Sequence, residues 1–216
     1  MTDEGFEHEL GNLRKLHVDL EKQMLNFDEI VPYERQRTAD IYSPRLLNMM
    51  LVCGSQIEAV TKLTCGRCKI RHDDGIRPAI RKLDKDGVLS GFRIFSIPHR
   101  LQFSPFTKDL EWWEAYNGLK HDLQDKQFKI TYTAVMDAFA VLAALHRLAD
   151  KLAESDNEQI QQVLDKNSWK SNEILEKYHE SNKETNHISI FWRSLLFEIK
   201  NSYFRDPLFF PYAQGP

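Results

Sequence analysis

Three polar side chains near the middle of the chain have the types and spacing that proton-transfer chemistry requires. Asn117, Lys120 and His121 stand at positions i, i+3 and i+4, so they share one face of a helix. A histidine exchanges protons near neutral pH, a lysine stabilises a phosphate or an oxyanion, and an asparagine orients either group. The set, with Tyr116 beside it, suits metal-independent cleavage of a phosphodiester by the neighbouring 2′-hydroxyl group. On residue types alone, however, we favour the simpler interpretation that these side chains brace helix packing.

A short cysteine motif is the second candidate site. Cys65-x2-Cys68 followed by His72 could supply three zinc ligands, with a fourth from Cys53 or His99 elsewhere in the fold. Structural zinc sites usually show two paired half-motifs, and only one is present. The dithiol is also typical of redox proteins, but no βαβ pattern surrounds it. We therefore expect free thiols at a helix end, and neither a metal nor another cofactor.

A cluster of basic residues follows the same cysteines. Such a patch can bind RNA phosphates, although a solvated helix end, where cations suit the helix dipole, is the simpler explanation. The candidate RNA-binding residues are Arg67, Lys69, Arg71, Arg77 and Arg81.

Glu58 lies within a predicted apolar helix and has two possible environments. It is either solvated or directed into a polar site. Because glutamate is rarely buried without a partner, we favour the solvated interpretation.

Hydrophobic periodicity predicts a mostly helical protein. A serine N-cap followed by proline marks the start of the second helix, at Ser43 and Pro44. Two prolines, Pro98 and Pro105, exclude a long helix over residues 92–106, where we expect an irregular aromatic loop with a possible short hairpin. The predicted helices are 6–30, 44–64, 76–83, 110–123 and 132–153, and the last is apolar nearly all round, as expected of a central helix or one shared with a partner subunit.

The chain changes character after residue 154. Residues 155–186 are polar and predict two weak helices, and residues 187–203 predict a better one. An apolar tail at residues 207–212 is expected to dock on the bundle or on a neighbour. We therefore predict an all-α bundle over residues 1–154 and a helical C-terminal extension over residues 155–216, which packs on the bundle or on a partner.

Length and charge restrict the functional class. The chain has 216 residues, a net charge of −3 and a pI near 6.2, so no global positive field attracts nucleic acid. The N-terminus lacks the basic and apolar regions of a secretory signal, and no stretch of about 18 apolar residues predicts a membrane span. We expect a cytoplasmic protein that does not associate with membranes.

Two stretches resemble the HEPN superfamily. They are WWEAYNGLKHD, preceded by SPF and followed by a long alanine-rich helix, and the earlier helix SPRLLNMMLVCGSQIEAVTKL. The resemblance covers about residues 43–152. It implies an α-helical bundle that often dimerises, and in many members a metal-independent ribonuclease of toxin–antitoxin or other defence systems.

The catalytic motif of that family is an arginine, commonly followed by a polar residue, then three residues and a histidine. On this chain the histidine falls on His121, the polar residue on Asn117 and the arginine position on Tyr116. Tyrosine lacks the cationic fork that arginine offers a phosphate, and Lys120 would supply charge from a different place. The resemblance thus leaves two functions open. One is a homodimeric ribonuclease that acts on RNA through His121, and the other is a non-catalytic scaffold or RNA-binding module that binds an antitoxin or another protein.

Overall fold

The computed structural model describes residues 3–34, 36–106, 110–121, 130–155, 159–165 and 194–201. In this part of the chain, helices dominate and a small antiparallel sheet accompanies them. The helices are α1 (Asp3–Asp28), α2 (Pro44–Arg67), α3 (Ile76–Leu83), α4 (Glu111–His121), α5 (Tyr132–Ala153) and the short α6 (Ile160–Val163). The strands are β1 (Phe92–Ser96), β2 (Gln102–Phe103) and β3 (Phe197–Asn201).

The local signals in the sequence locate several helix ends. The Ser43 side chain accepts a hydrogen bond from the backbone N–H of Arg45, and Pro44 opens α2 as predicted. The predicted bounds of α3 and α5 are confirmed. Thr131 caps α5 in the same way as Ser43 caps α2, by accepting from the backbone N–H of Ala134.

Helix α5 forms the centre of the bundle. Helices α1, α2 and α4 pack against it together with strand β3. Its length and composition would suffice to cross a membrane, but 78% of its most apolar window is buried inside the protein. The all-round apolar character therefore agrees with the first of the two alternatives, a central helix of the bundle.

The aromatic loop contains the hairpin that was considered possible. Strand β1 pairs antiparallel with β2, with Ile94 opposite Phe103, and on its other edge with β3, with Ile94 opposite Ile199. The all-α prediction is therefore incomplete, because the strand order β2–β1–β3 makes a three-stranded sheet. The helix predicted over residues 187–203 is wrong at residues 197–201, which form the strand β3.

A buried carboxylate fixes the segment that leads into β3. Glu21 of α1 is fully buried and accepts hydrogen bonds from the Ser194 hydroxyl and from the backbone N–H of Leu195, the latter at 2.7 Å. Residues 194–201 of the predicted extension thus pack on the bundle. The sequence predicts two weak helices over residues 155–186, and the described part of this range contains the short helix α6. Residues 166–186 and the tail at 207–212 lie outside the described residues.

Candidate functional site

Helix α4 has one buried face and one solvent face. Four side chains at helical spacing point inward: Trp112, Ala115, Tyr116 and Leu119. Asn117, Lys120 and His121 are exposed, in agreement with the predicted common face. The structure nevertheless separates them, because Lys120 turns toward α2 whereas Asn117 lines a cleft on the other side.

Tyr116 and Lys120 converge on one carboxylate of α2. The Tyr116 hydroxyl donates to Glu58 Oε1 at 3.0 Å, and the Lys120 ammonium donates to the same oxygen at 3.0 Å. Lys62 lies 3.9 Å from the other oxygen. The Glu58 side chain is only 18% exposed, so the solvated interpretation favoured from the sequence is wrong, and the polar-site alternative describes it.

The ionisation of this cluster follows from its contacts. Burial raises the pKa of Glu58, but hydrogen bonds from Lys120 and Tyr116 outweigh burial and hold the pKa below its usual value. Burial, together with the hydrogen bond to Glu58, raises the pKa of Tyr116 far above 10. The phenol is therefore neutral at physiological pH, whereas an arginine at this position would be a permanent cation.

A glycine allows Tyr116 to approach α2 closely. Gly54 lies inside α2, and a Cβ atom built on it would sit within 2.5 Å of three atoms of the Tyr116 ring. Ordinary van der Waals contact begins at about 3.4 Å. Trp113 packs against the same ring at a centroid distance of 5.4 Å. Tyr116 is therefore a packing residue at the α2–α4 contact as well as a hydrogen-bond donor.

Asn117 lines a cleft of about 620 Å³ between α3, α4 and the start of α5. The charged residues in the described part of its wall are Asp40, Glu111, Glu114, Asp137 and Arg77. Arg77 pairs with Glu114 at 3.6 Å, and the four carboxylates give this part of the wall an excess of negative charge. Trp113 adds a partly buried aromatic surface. Such a cleft repels phosphate groups and attracts cations.

His121 is the last residue of α4 and is exposed. It is not part of the cleft lining, although Asn117 stands one turn before it. The histidine is thus accessible to solvent, and the neighbouring Lys120 donates a hydrogen bond to Glu58.

The predicted RNA-binding residues lie in different environments. Arg67 is buried: its guanidinium donates to the Ser155 carbonyl at 2.9 Å and lies over the Phe6 ring. A phosphate at the protein surface therefore does not reach it. Arg71 pairs with Asp73 at 2.8 Å, and Arg77 belongs to the acidic cleft. Lys69 and Arg81 are exposed.

The cysteine motif lies in the core. Cys53, Cys65 and Cys68 are all buried free thiols. Burial raises the pKa of Cys65 to about 11 and that of Cys68 to about 12, which disfavours the thiolate that metal binding and redox exchange require. His72 is partly exposed, and within the described residues no three His, Cys, Asp or Glu side chains come together as metal ligands.

Sequence reasoning missed two clusters of buried polar groups. His17 and His146 are fully buried with their rings 4.9 Å apart, and His17 lies 3.1 Å from Glu21. Each histidine precedes an acidic residue by four positions. This pattern, His-x3-acid, occurs in both α1 and α5 and could have predicted the cluster from the sequence. Asp150, the acidic partner in α5, pairs with an arginine of α1.

The second cluster surrounds Asp28 at the end of α1. Its Oδ1 accepts from the Tyr132 hydroxyl at 2.7 Å and from the backbone N–H of Tyr33 at 3.0 Å, and it lies 2.8 Å from His99 Nε2. These bonds join α1 to the start of α5 and to the turn after β1. One carboxylate oxygen of Asp28 therefore contacts three separate parts of the chain, and we interpret this arrangement as structural.

Comparison with known protein families, curated proteins and solved structures gave no match for this chain. The chemistry of the site therefore rests on its own geometry. That geometry combines a neutral buried tyrosine, a lysine bound to a carboxylate, an exposed histidine and an acidic cleft.

Proposed function

We propose that this protein is a HEPN-like helical module that binds a partner and does not cleave RNA. The observation that carries the proposal is the shared use of Glu58 by Tyr116 and Lys120, each at 3.0 Å. A ribonuclease of this family requires a free cation near the histidine to stabilise the developing charge on the phosphate. Here the residue in the arginine position is a buried phenol, and the neighbouring lysine is already paired.

The acidic cleft is the proposed binding site. Its volume of about 620 Å³ lies in the usual range for ligand sites, and the carboxylates among its described lining residues outnumber the one arginine there. Trp113 offers an aromatic face on which a cation can rest. The partner is accordingly a protein surface that inserts a lysine or arginine side chain, as an antitoxin-like or scaffold partner could do.

The test is binding of a short, fluorescently labelled peptide that carries one arginine between serines. Asp40 and Glu111 are exposed and have no ion pair among the described residues, so Asp40→Asn with Glu111→Gln removes charge without removing a structural bond. We expect this variant to bind the peptide several-fold more weakly, because each exposed charge contributes up to about 1 kcal/mol.

The matched control is Glu9→Gln with Glu29→Gln, which removes the same charge from exposed positions on α1 and just after it. We expect it to bind as the wild type does. Equal weakening in both double variants would show a non-specific effect of net charge and would contradict the proposed site, as would a lack of binding to the wild type.

A metal-independent ribonuclease is the second candidate function, and one observation favours it. Asn117 and His121 are both exposed and lie one helical turn apart. In this scheme His121 is the general acid or base, Asn117 orients it, and Lys120 leaves Glu58 to stabilise the phosphate. The protein would then belong to a defence or toxin–antitoxin type of system.

A homodimer, implied by the HEPN resemblance, remains part of the proposal. Because α5 is already covered by its own chain, a second copy would contact other surfaces of the bundle. Gel filtration with light scattering tests it directly. A monomer at every concentration would contradict the dimer.

A further inference from the structure

A second groove lies at the C-terminal end of α3. It has a volume of about 480 Å³, and no described residue lines both this groove and the acidic cleft. Its floor is aliphatic and consists of Ile70, Leu83 and Leu164. Its rim is polar, with the side chains Arg81, Lys82, Lys85 and Asp86.

The rim has an excess of positive charge. Lys82 is engaged within the protein, since its ammonium donates to Asp74 at 3.0 Å and to the Arg71 carbonyl at 2.9 Å. Arg81 and Lys85 are exposed and form no ion pair with any residue of the described ranges. Among the described residues of the rim, two cations are therefore available, and Asp86 supplies the one carboxylate that opposes them.

The helix dipole accounts for only part of this arrangement. Cations in the last turn of α3 suit the partial negative charge at a helix C-terminus, which explains Arg81 and Lys82. The dipole does not explain why these cations stand around an aliphatic floor, or why Lys85, beyond the helix end, extends the same rim. An apolar floor inside a cationic rim matches a ligand with the inverse pattern.

We propose that this groove binds a protein segment in which an aliphatic side chain is flanked by Asp or Glu residues. The aliphatic side chain would rest on Leu83 and Leu164, and the carboxylates would face Arg81 and Lys85. The proposal is independent of the function assigned to the acidic cleft, since the two sites differ in lining and in sign of charge.

The lining favours a peptide over single-stranded RNA. Proteins that bind single strands stack bases on aromatic side chains, and none of the described residues that line this groove is aromatic. Asp86 would also oppose a continuous run of phosphates, whereas a peptide can place its few carboxylates beside the two cations.

The experiment is a fluorescence-anisotropy titration with a labelled peptide that carries one leucine between glutamates. We expect Arg81→Glu with Lys85→Glu to weaken binding about tenfold, because two attractions become repulsions. Replacing the peptide leucine by serine should weaken binding to the wild type by about tenfold or more. The control Arg45→Glu lies on the exposed first turn of α2, outside the groove, and should bind as the wild type does.

Because all substituted side chains are exposed, we expect every variant to fold, and thermal denaturation of each variant tests this. Three outcomes would overturn the proposal: no binding to the wild type, binding unchanged by the Arg81 and Lys85 substitutions, or equal binding of the leucine and serine peptides. A labelled oligouridine that binds more tightly than the peptide, through the same two cations, would show an RNA site instead.

Discussion

Gly54→Ala should destabilise the protein, although the same substitution inside a helix normally stabilises it. Alanine is favoured over glycine in a helix by about 1 kcal/mol. At Gly54, however, the new Cβ would lie within 2.5 Å of three atoms of the Tyr116 ring. The ring would have to retreat by about 1 Å to restore ordinary contact, and Trp113 packs against it.

The magnitude follows from these two opposing effects. Overpacking a tight contact costs about 1–3 kcal/mol, and a collision with three ring atoms belongs at the upper end of that range. After the gain in helix propensity is subtracted, we expect a net loss of about 2 kcal/mol. For a chain of this size, that loss corresponds to a decrease in Tm of roughly 4–8 °C.

The matched control is Gly11→Ala in α1, where a Cβ would meet no atom within 4 Å. We expect this variant to gain up to about 1 kcal/mol in the free energy of unfolding. Chemical denaturation and thermal melting measure both effects. If Gly54→Ala matched or exceeded the wild type in stability, the inward packing of Tyr116 against α2 would be refuted.

Three further predictions concern buried and paired ionisable groups. Burial, with His17 and Arg14 nearby, lowers the pKa of His146 well below 6.5. Because the unfolded state then binds a proton at a higher pH than the folded state does, the free energy of unfolding should fall below pH 6.5 by up to about 1.4 kcal/mol per pH unit. Denaturant titrations at several pH values should show a smaller slope for His146→Gln. Hydrogen bonds outweigh burial and lower the pKa of Glu58, so the ionised carboxylate stabilises the fold at pH values above its usual pKa of 4.5. This stabilisation is lost as the pH falls through the lowered pKa. Glu58→Gln should remove this part of the loss of stability in acid. The buried cysteines should react with a thiol reagent at pH 8 only after denaturant is added, and rapid labelling of the native protein would contradict their burial.

Local signals made several helices predictable. The N-cap at Ser43, the proline after it and the continuous periodicity of Tyr132–Ala153 act within a few residues of one another, so one sequence suffices to place them. Strand β3 was not predictable in this way. Its apolar residues also fit a helix, and pairing with a β1 strand about a hundred residues earlier decides its conformation.

The candidate site was predictable in composition but not in its contacts. The spacing of Asn117 and His121 predicted one shared face of α4, and both residues are exposed in the structure. The role of Glu58 depends on Tyr116 and Lys120, which are 58 and 62 positions away, and residue type alone favoured a solvated glutamate. Arg67 likewise forms a hydrogen bond with the Ser155 carbonyl, 88 positions away, and no local sequence pattern predicts this contact.

We propose that the residues around α4 bind a partner and do not cleave RNA. The most direct test is incubation of the purified protein with cellular RNA in the presence of a metal chelator, with wild type and His121→Ala compared over the same time course. Because Lys120 and Tyr116 are both bound to Glu58, we predict no cleavage that depends on His121. Cleavage by the wild type that is lost in His121→Ala would contradict the proposed non-catalytic binding function and establish the ribonuclease function.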